Sequence, residues 1–243
     1  MNKNKLKLNA EKTHVLTLGT SQRLQRLDSV LKVEMNGITL EESSSKSELL
    51  LGCCISSNLK WHCQINQVLD RLKKRIAALE TIKNVVDFDT RKRLTEGLFT
   101  SILSYCLPLY GGCDKRSLDS LQVMQSKAAR LVTLSKQGSS RKDMFDRLHW
   151  FTVRQLMFYH TALTVFRVRN SGEPEYLHSI FSRENQRGNL IVPNTPLSLA
   201  KVSFCYRGAS EWNRLPHSIR NLQDVTTFKR ELRQWIFVNI EQF

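Results

Sequence analysis

The sequence predicts an α+β protein that is mostly α, with a small antiparallel β remnant at the N-terminus and a helical bundle after it. Three observations predict this. The first sixty residues hold short β-prone runs, one of them broken by Asn36-Gly37, and that dipeptide between alternating apolar residues is a strong hairpin signal. From Trp61 onward apolar residues recur at i, i+3, i+4 and i+7, the period of an amphipathic helix. Hydrophobic residues make up 41% and charged residues 24% of the 243 positions, which excludes whole-chain disorder and collagen-like repeats.

In chain order, Val15-Leu16-Thr17-Leu18 is a β-prone run closed by Gly19, and Ser21–Leu27 can form a short helix. Val33, Met35 and Ile38 flank the Asn36-Gly37 turn, and Glu48–Ile55 is a further apolar run read as a strand. Ile65, Val68, Leu69, Leu72, Ile76 and Leu79 then mark one face of a helix, with Gln67, Arg71 and Lys74 opposite. A second helix is expected after Asp89, with Leu94, Leu98, Ile102 and Tyr105 inward and Pro108 as its stop. A third runs from about Arg116 to Ser135, burying Leu118, Leu121, Met124, Ala128 and Leu131, and Gly138-Ser139-Ser140 punctuates it. Thr152 and Gln155 form a capping box, with Phe151 and Leu156 as the hydrophobic staple, for a fourth helix reaching Arg169. The stretch 183–197 reads as a loop, and two further helices fit Leu199–Asn213 and Val225–Ile240, the last burying Phe228, Leu232, Trp235 and Ile236.

Lysine and arginine number 37 against 22 acids, a formal charge of +15, which favours a polyanionic partner. The cations cluster at Arg71, Lys73, Lys74 and Arg75, at Arg91-Lys92-Arg93, at Lys127 and Arg130, and at Arg141-Lys142. Three cations at a helix start oppose its dipole by about 0.3–1 kcal/mol each, and a phosphate backbone would offset that. Nucleic-acid contact through Arg71, Lys74, Arg75, Arg91, Lys92, Arg93, Lys127 and Arg130 is therefore expected.

Catalytic and metal-binding patterns are missing from the sequence. It has no glycine-rich phosphate loop, no Gly-x-Ser-x-Gly and no His-Glu-x-x-His. Cys53, Cys54, His62 and Cys63 do not match a two-Cys, two-His zinc spacing, and they read as buried structural cysteines. The six cysteines together read as reduced thiols. Asp87-Phe88-Asp89 fits a helix start better than a two-metal site, and His149 reads as a core or loop histidine. No apolar run approaches the ~20 residues of a membrane helix, and the N-terminus has no secretory h-region. An intracellular protein, nuclear or cytoplasmic, with no membrane and no small-molecule substrate is expected.

Several stretches resemble, in order, the C-terminal end of reverse transcriptases of non-LTR (LINE-type, jockey-like) retrotransposons. Leu8-Asn9-Ala10-Glu11-Lys12-Thr13 is similar to the family's LNxxKT segment. Leu50-Leu51-Gly52 followed by Leu59-Lys60-Trp61-His62-Cys63-Gln64-Ile65 is similar to its primer-grip strand and first thumb helix. Leu148-His149-Trp150-Phe151-Thr152-Val153-Arg154-Gln155 resembles its LHWLPVRQR segment, and Glu211-Trp212-Asn213-Arg214-Leu215-Pro216 its C-terminal region. Leu50 for Tyr, Cys63-Gln64 for His, and Phe151-Thr152 for Leu-Pro depart from the family pattern.

The resemblance implies three regions: 1–60 as the end of the palm, 61–137 as a helical thumb-like region, and 138–243 as a C-terminal helical region. It implies that Lys12 matches the motif-D lysine near the incoming nucleotide, that Leu51 and Gly52 match the primer grip, and that Arg71, Lys74 and Arg75 lie on the thumb helix that tracks the template–primer duplex. The family's Mg²⁺-binding aspartates precede LNxxKT, which here starts at residue 8. The expectation is thus a truncated RNA-directed DNA polymerase fragment that needs no cofactor, is inactive alone, and binds RNA/DNA duplex. A helical protein-interaction module derived from a mobile element, or an unstable pseudogene product, are the alternatives.

Overall fold

The computed structural model describes residues 9, 12–26, 33–35, 37–40, 42 and 46–239. The protein is α+β and mostly α, with two small two-stranded antiparallel sheets ahead of the helices. Two compact units meet between Gln67 and Val68, inside a helix. No helix among the described residues is long and apolar enough to cross a membrane.

In the first unit, helix α1 (Ser21–Gln25) is capped by the Thr20 hydroxyl. Strands β1 (Val33–Met35) and β2 (Ile38–Leu40) pair with Met35 opposite Ile38. The hairpin falls at the expected dipeptide, of which Asn36 lies outside the described residues and Gly37 has φ 77°. The run at 15–18 forms no strand; Val15 makes a single bridge to Glu42. The apolar run at 48–55 is two strands rather than one. Strands β3 (Ser47–Leu50) and β4 (Cys53–Ser56) pair with Leu50 opposite Cys53. Leu51 (φ 48°) and Gly52 (φ 80°) make the turn. Two consecutive positive φ values are what a type I′ turn requires, and a leucine there gives no sequence warning.

Helix α2 (His62–Ile82) buries Ile65, Val68, Leu72 and Leu79, four of the six positions its period marks. The second unit begins within it. Helix α3 (Phe88–Thr95) is capped by Asp87 rather than Asp89, with the Asp87 carboxylate accepting from the Thr90 N–H at 2.9 Å. Hydrogen bonds from Thr90 hold that carboxyl below its ordinary pKa. A π-helical turn, Glu96–Thr100, links α3 to α4 (Ser101–Ser104). Thr95, Phe99 and Leu103 are buried, while Leu98 and Tyr105 are exposed. The wider turn displaces the inward stripe from where a straight 3.6-residue period puts it.

After α5 (Leu107–Tyr110), helix α6 (Lys115–Thr133) buries all five expected positions. Helices α7 (Arg141–Leu148) and α9 (Glu175–Phe181) occupy stretches to which the sequence pattern assigned no element. Between them α8 (Val153–Ser171) carries the complete capping box and ends at Gly172 in the left-handed region. Its buried residues ring the whole helix, the mark of a central helix, and it packs against α5, α6 and α9 and against the second and the last of the four C-terminal helices. The four are α10 (Ser198–Lys201), α11 (Phe204–Asn213), α12 (His217–Arg220) and α13 (Val225–Val238). The Phe228 ring of α13 stacks on Phe166 of α8 at 4.0 Å, and Leu232 and Ile236 are fully buried beside it in sequence period, with Trp235 half-buried. A side chain at Gly208 would meet the Phe181 ring at 2.9 Å, so glycine sets the approach of α11 to α9.

Residues 138–243 form no unit of their own. Gln125 of α6 donates to the Phe151 carbonyl at 2.8 Å, and Gln122 accepts from the Val153 N–H at 2.9 Å. Two side-chain amides, that of Gln125 buried, thereby join α6 to the start of α8, where a boundary at 137/138 was expected.

Candidate nucleic-acid interface

The longest helix of the second unit's N-terminal edge supplies the first basic surface. On α2 the apolar face anchors Leu72 and Leu79 in the core. Arg71, Lys74 and Arg75 are exposed on the opposite side, and none has an ion-pair partner among the described residues. At 3.6 residues per turn the three fall within about a third of the circumference. Lys73, between them in sequence, is 3.0 Å from Asp70 and so partly neutralised.

The Arg91-Lys92-Arg93 run divides. Arg93 is exposed and Lys92 half-exposed, but Arg91 is buried at 9%. Its guanidinium donates to the carbonyls of Val132 at 3.1 Å, Lys83 at 2.9 Å and Val86. Those carbonyls belong to the last turn of α6 and the chain leaving α2, where helix geometry leaves acceptors without partners. Arg91 is therefore a clamp between helix ends and leaves the set of surface cations.

Lys127 and Arg130 lie on α6 at the edge of an 820 Å³ cavity, which Ile76, Lys83 and Leu134 also line. Lys83 is 3.7 Å from Glu80. Neither Lys127 nor Arg130 has an ion-pair partner among the described residues. The second unit thus brings Arg71, Lys74 and Arg75 onto one face and Lys127 and Arg130 into a separate groove.

In the first unit Lys12 is exposed and its N–H donates to the Asn9 carbonyl at 3.2 Å. Leu51 and Gly52 form the β3–β4 tip, where Leu51 is 85% exposed. Among the described residues no group of three or more His, Cys, Asp or Glu could hold a metal ion. Cys54 and Cys63 form a disulfide between β4 and the first turn of α2, with Cα atoms 6.1 Å apart. This overturns the reading of six free thiols. Gln64 supports the joint by accepting from the Cys54 N–H at 2.8 Å. Spacing alone did not reveal the pair, because the turn between β4 and α2 is what brings the two cysteines together.

The segments that carry the family resemblance are occupied in holding the bundle. Trp212 is buried and Arg169 lies over its ring at 5.3 Å. Asn213 makes reciprocal 2.8 Å bonds with the backbone of Leu190, clasping the 182–192 loop. Trp150 donates to Glu96 at 2.9 Å, and Arg233 donates to the His149 carbonyl at 3.0 Å. Glu211 lies 3.6 Å from Arg207 inside the helices. Burial pushes its carboxyl up to about 7, against the pull of Arg207, and lowers Arg207 below its ordinary value. Arg207 also donates to the carbonyls of Val202 and Pro108. Sequence reasoning missed this pair, since Arg-x-x-x-Glu on a helix ordinarily marks a solvated face.

Neither a family model, nor a curated protein, nor a solved structure matches the chain.

Proposed function

We propose that the chain grips nucleic-acid duplex without regard to sequence, in the manner of the thumb of a LINE-type reverse transcriptase. The observation that carries this reading is the triad Arg71, Lys74 and Arg75, exposed on one side of a 21-residue helix. Three cations clustered on one side of a helix can reach neighbouring phosphates of a duplex, and phosphate contacts supply affinity rather than specificity. The formal charge of +15 adds long-range attraction. Arg93 and Lys92 extend the basic character of the unit. By resemblance, Lys12 and the Leu51-Gly52 tip belong beside the primer end. The role proposed for these residues is binding, and no bond-making step is assigned to them.

The test is duplex binding as a function of salt. Three phosphate contacts predict a log–log slope of about −2.7, or roughly a 40-fold loss between 50 and 200 mM salt. Arg71→Ala/Lys74→Ala/Arg75→Ala should remove most of that slope. A slope near zero for the unaltered chain, or a triple variant that binds as before, contradicts the proposal. A protein-contact role is the second reading, and the run Leu49, Leu50 and Leu51, exposed at 59%, 59% and 85%, favours it. It predicts binding that salt does not weaken.

A further inference from the structure

Helix α6 presents a second face whose residues recur at steps of three and four from Asp119 through Gln122, Ser126 and Arg130 to Leu134. Three cavities of 820, 450 and 310 Å³ lie along it. The first two share Arg130, and the second and third share Asp119, Gln122 and Arg141. Shared walls make them one trough, and fifteen residues of helix give it a length of about 23 Å. The end of α2, the start of α7 and the start of α8 form its sides, contributing Lys83, Arg141 and Arg154.

We propose that this trough is a binding site for single-stranded nucleic acid. The inference rests on the nucleic-acid reading above for the class of partner, and it assigns a different strand state to a different surface. Five cations, Lys83, Lys127, Arg130, Arg141 and Arg154, meet two carboxylates, Glu80 and Asp119. Glu80 is engaged by Lys83, and the other four cations have no ion-pair partner among the described residues. Cations aligned in a channel follow one phosphate chain. Cavities of this size enclose a small molecule, so a strand enters them while a duplex rests on the rim.

The floor between the cations includes Val123 and Leu134, about half exposed. They offer apolar contact for sugars and bases. No aromatic side chain lines the three cavities, so the stacking platforms of sequence-tolerant strand binders are replaced here by charge and aliphatic surface. At a stacked rise of about 3.4 Å per nucleotide the trough holds about seven nucleotides. Four unpaired cations predict a salt slope of about −2.8 for a single strand. On α2 the trough is lined by Ile76 and Glu80, which lie about 100–180° around the helix from Arg71, Lys74 and Arg75. The trough and the duplex face therefore open on opposite sides of α2 and can be altered separately.

The experiment measures anisotropy of labelled dT4, dT8 and rU8, and of a blunt 16-base-pair duplex, at low salt on the full chain. Lys127→Glu/Arg130→Glu/Arg141→Glu should weaken dT8 and rU8 at least tenfold and leave the duplex within twofold. Arg71→Glu/Lys74→Glu/Arg75→Glu should do the reverse. Affinity should rise from dT4 to dT8. Thermal melts report whether each variant folds, and the milder Lys127→Gln/Arg141→Gln, at two exposed positions, should still cost severalfold. Strand binding untouched by both groove variants overturns the inference, as does displacement of dT8 by poly-glutamate of equal charge at equal concentration. Strands bound and duplex not bound would refute the duplex proposal and leave this one standing. Duplex bound and strands not bound would do the opposite.

Discussion

Arg91 and Glu211 are charged residues whose setting inverts what their sequence neighbourhood suggests. Arg91 sits in a run of three cations, yet its guanidinium is spent on carbonyls from two helix ends. Its flat fork of five donors suits that task where a lysine would not. Glu211 lies four residues from Arg207 on an exposed-looking helix pattern, yet the two side chains are only 12% and 11% exposed. Burial of Glu211 Oε2 opposes ionisation, while Arg207 and the Thr161 hydroxyl favour it. Removal from water therefore outweighs the attraction of Arg207, and the folded carboxyl titrates at about 7 rather than 4.5. The sign follows from linkage. A raised pKa means that the folded state holds the proton more tightly. The stabilisation is fully present below about 4.5 and is lost as pH rises through about 7, a swing on the order of 3 kcal/mol. His160 acts the other way, since burial lowers its pKa and folding stability rises as it loses its proton. Urea midpoints across pH 4.5–7.5 should thus fall more steeply in the unaltered chain than in Glu211→Gln. Parallel profiles for the two would show that the carboxyl is ionised throughout.

The contrast between legible and illegible elements has a local cause. The start of α8 could be placed to the residue because a capping box is written in four consecutive positions and tertiary packing does not alter it. The inward stripe of α6 was legible because the helix keeps one period for nineteen residues. The stripe of α3–α4 was not, because a π turn inserts extra rotation that leaves no mark in composition. The β3–β4 turn was hidden for another reason: leucine is an unfavourable residue in the left-handed region, at about 1–2 kcal/mol. Leu51 adopts φ 48° with its side chain 85% in solvent, so burial does little to offset that cost. Asparagine tolerates this conformation and, followed by Gly52, makes the favoured type I′ pair. Leu51→Asn should stabilise the hairpin by about 1 kcal/mol. Amide exchange of the β3–β4 hydrogen bonds should slow severalfold in the variant. Unchanged or faster exchange would mean that the leucine side chain contributes more than its backbone costs.

At the scale of the whole molecule, net charge was the most legible property of the site and the least informative about its geometry. Composition pointed to a polyanion, but only folding separates Arg71, Lys74 and Arg75 on one side of α2 from Lys127 and Arg130 in the trough on the other. Folding also moves the first division of the chain to Gln67/Val68 and merges 138–243 with the helices before it, through side-chain amides that no boundary signal announces. A formal charge of +15 works against compactness as well as for binding. Exposed cations that lack acidic partners repel one another in the folded state more than in the expanded one. Added salt screens them, with a Debye length falling from about 30 Å at 0.01 M to about 10 Å at 0.1 M. Salt should therefore act with opposite signs on the two properties. Between 20 and 200 mM NaCl the melting temperature of the free chain should rise by about 2–4 °C, the shift expected of roughly 1 kcal/mol in a protein of this size. Over the same range the proposed affinity for duplex should fall steeply. Removing the triad by Arg71→Ala/Lys74→Ala/Arg75→Ala should shrink both responses together, because the same unpaired charges cause both. A variant that loses the binding response while keeping the full rise in melting temperature would locate the repulsion elsewhere on the surface.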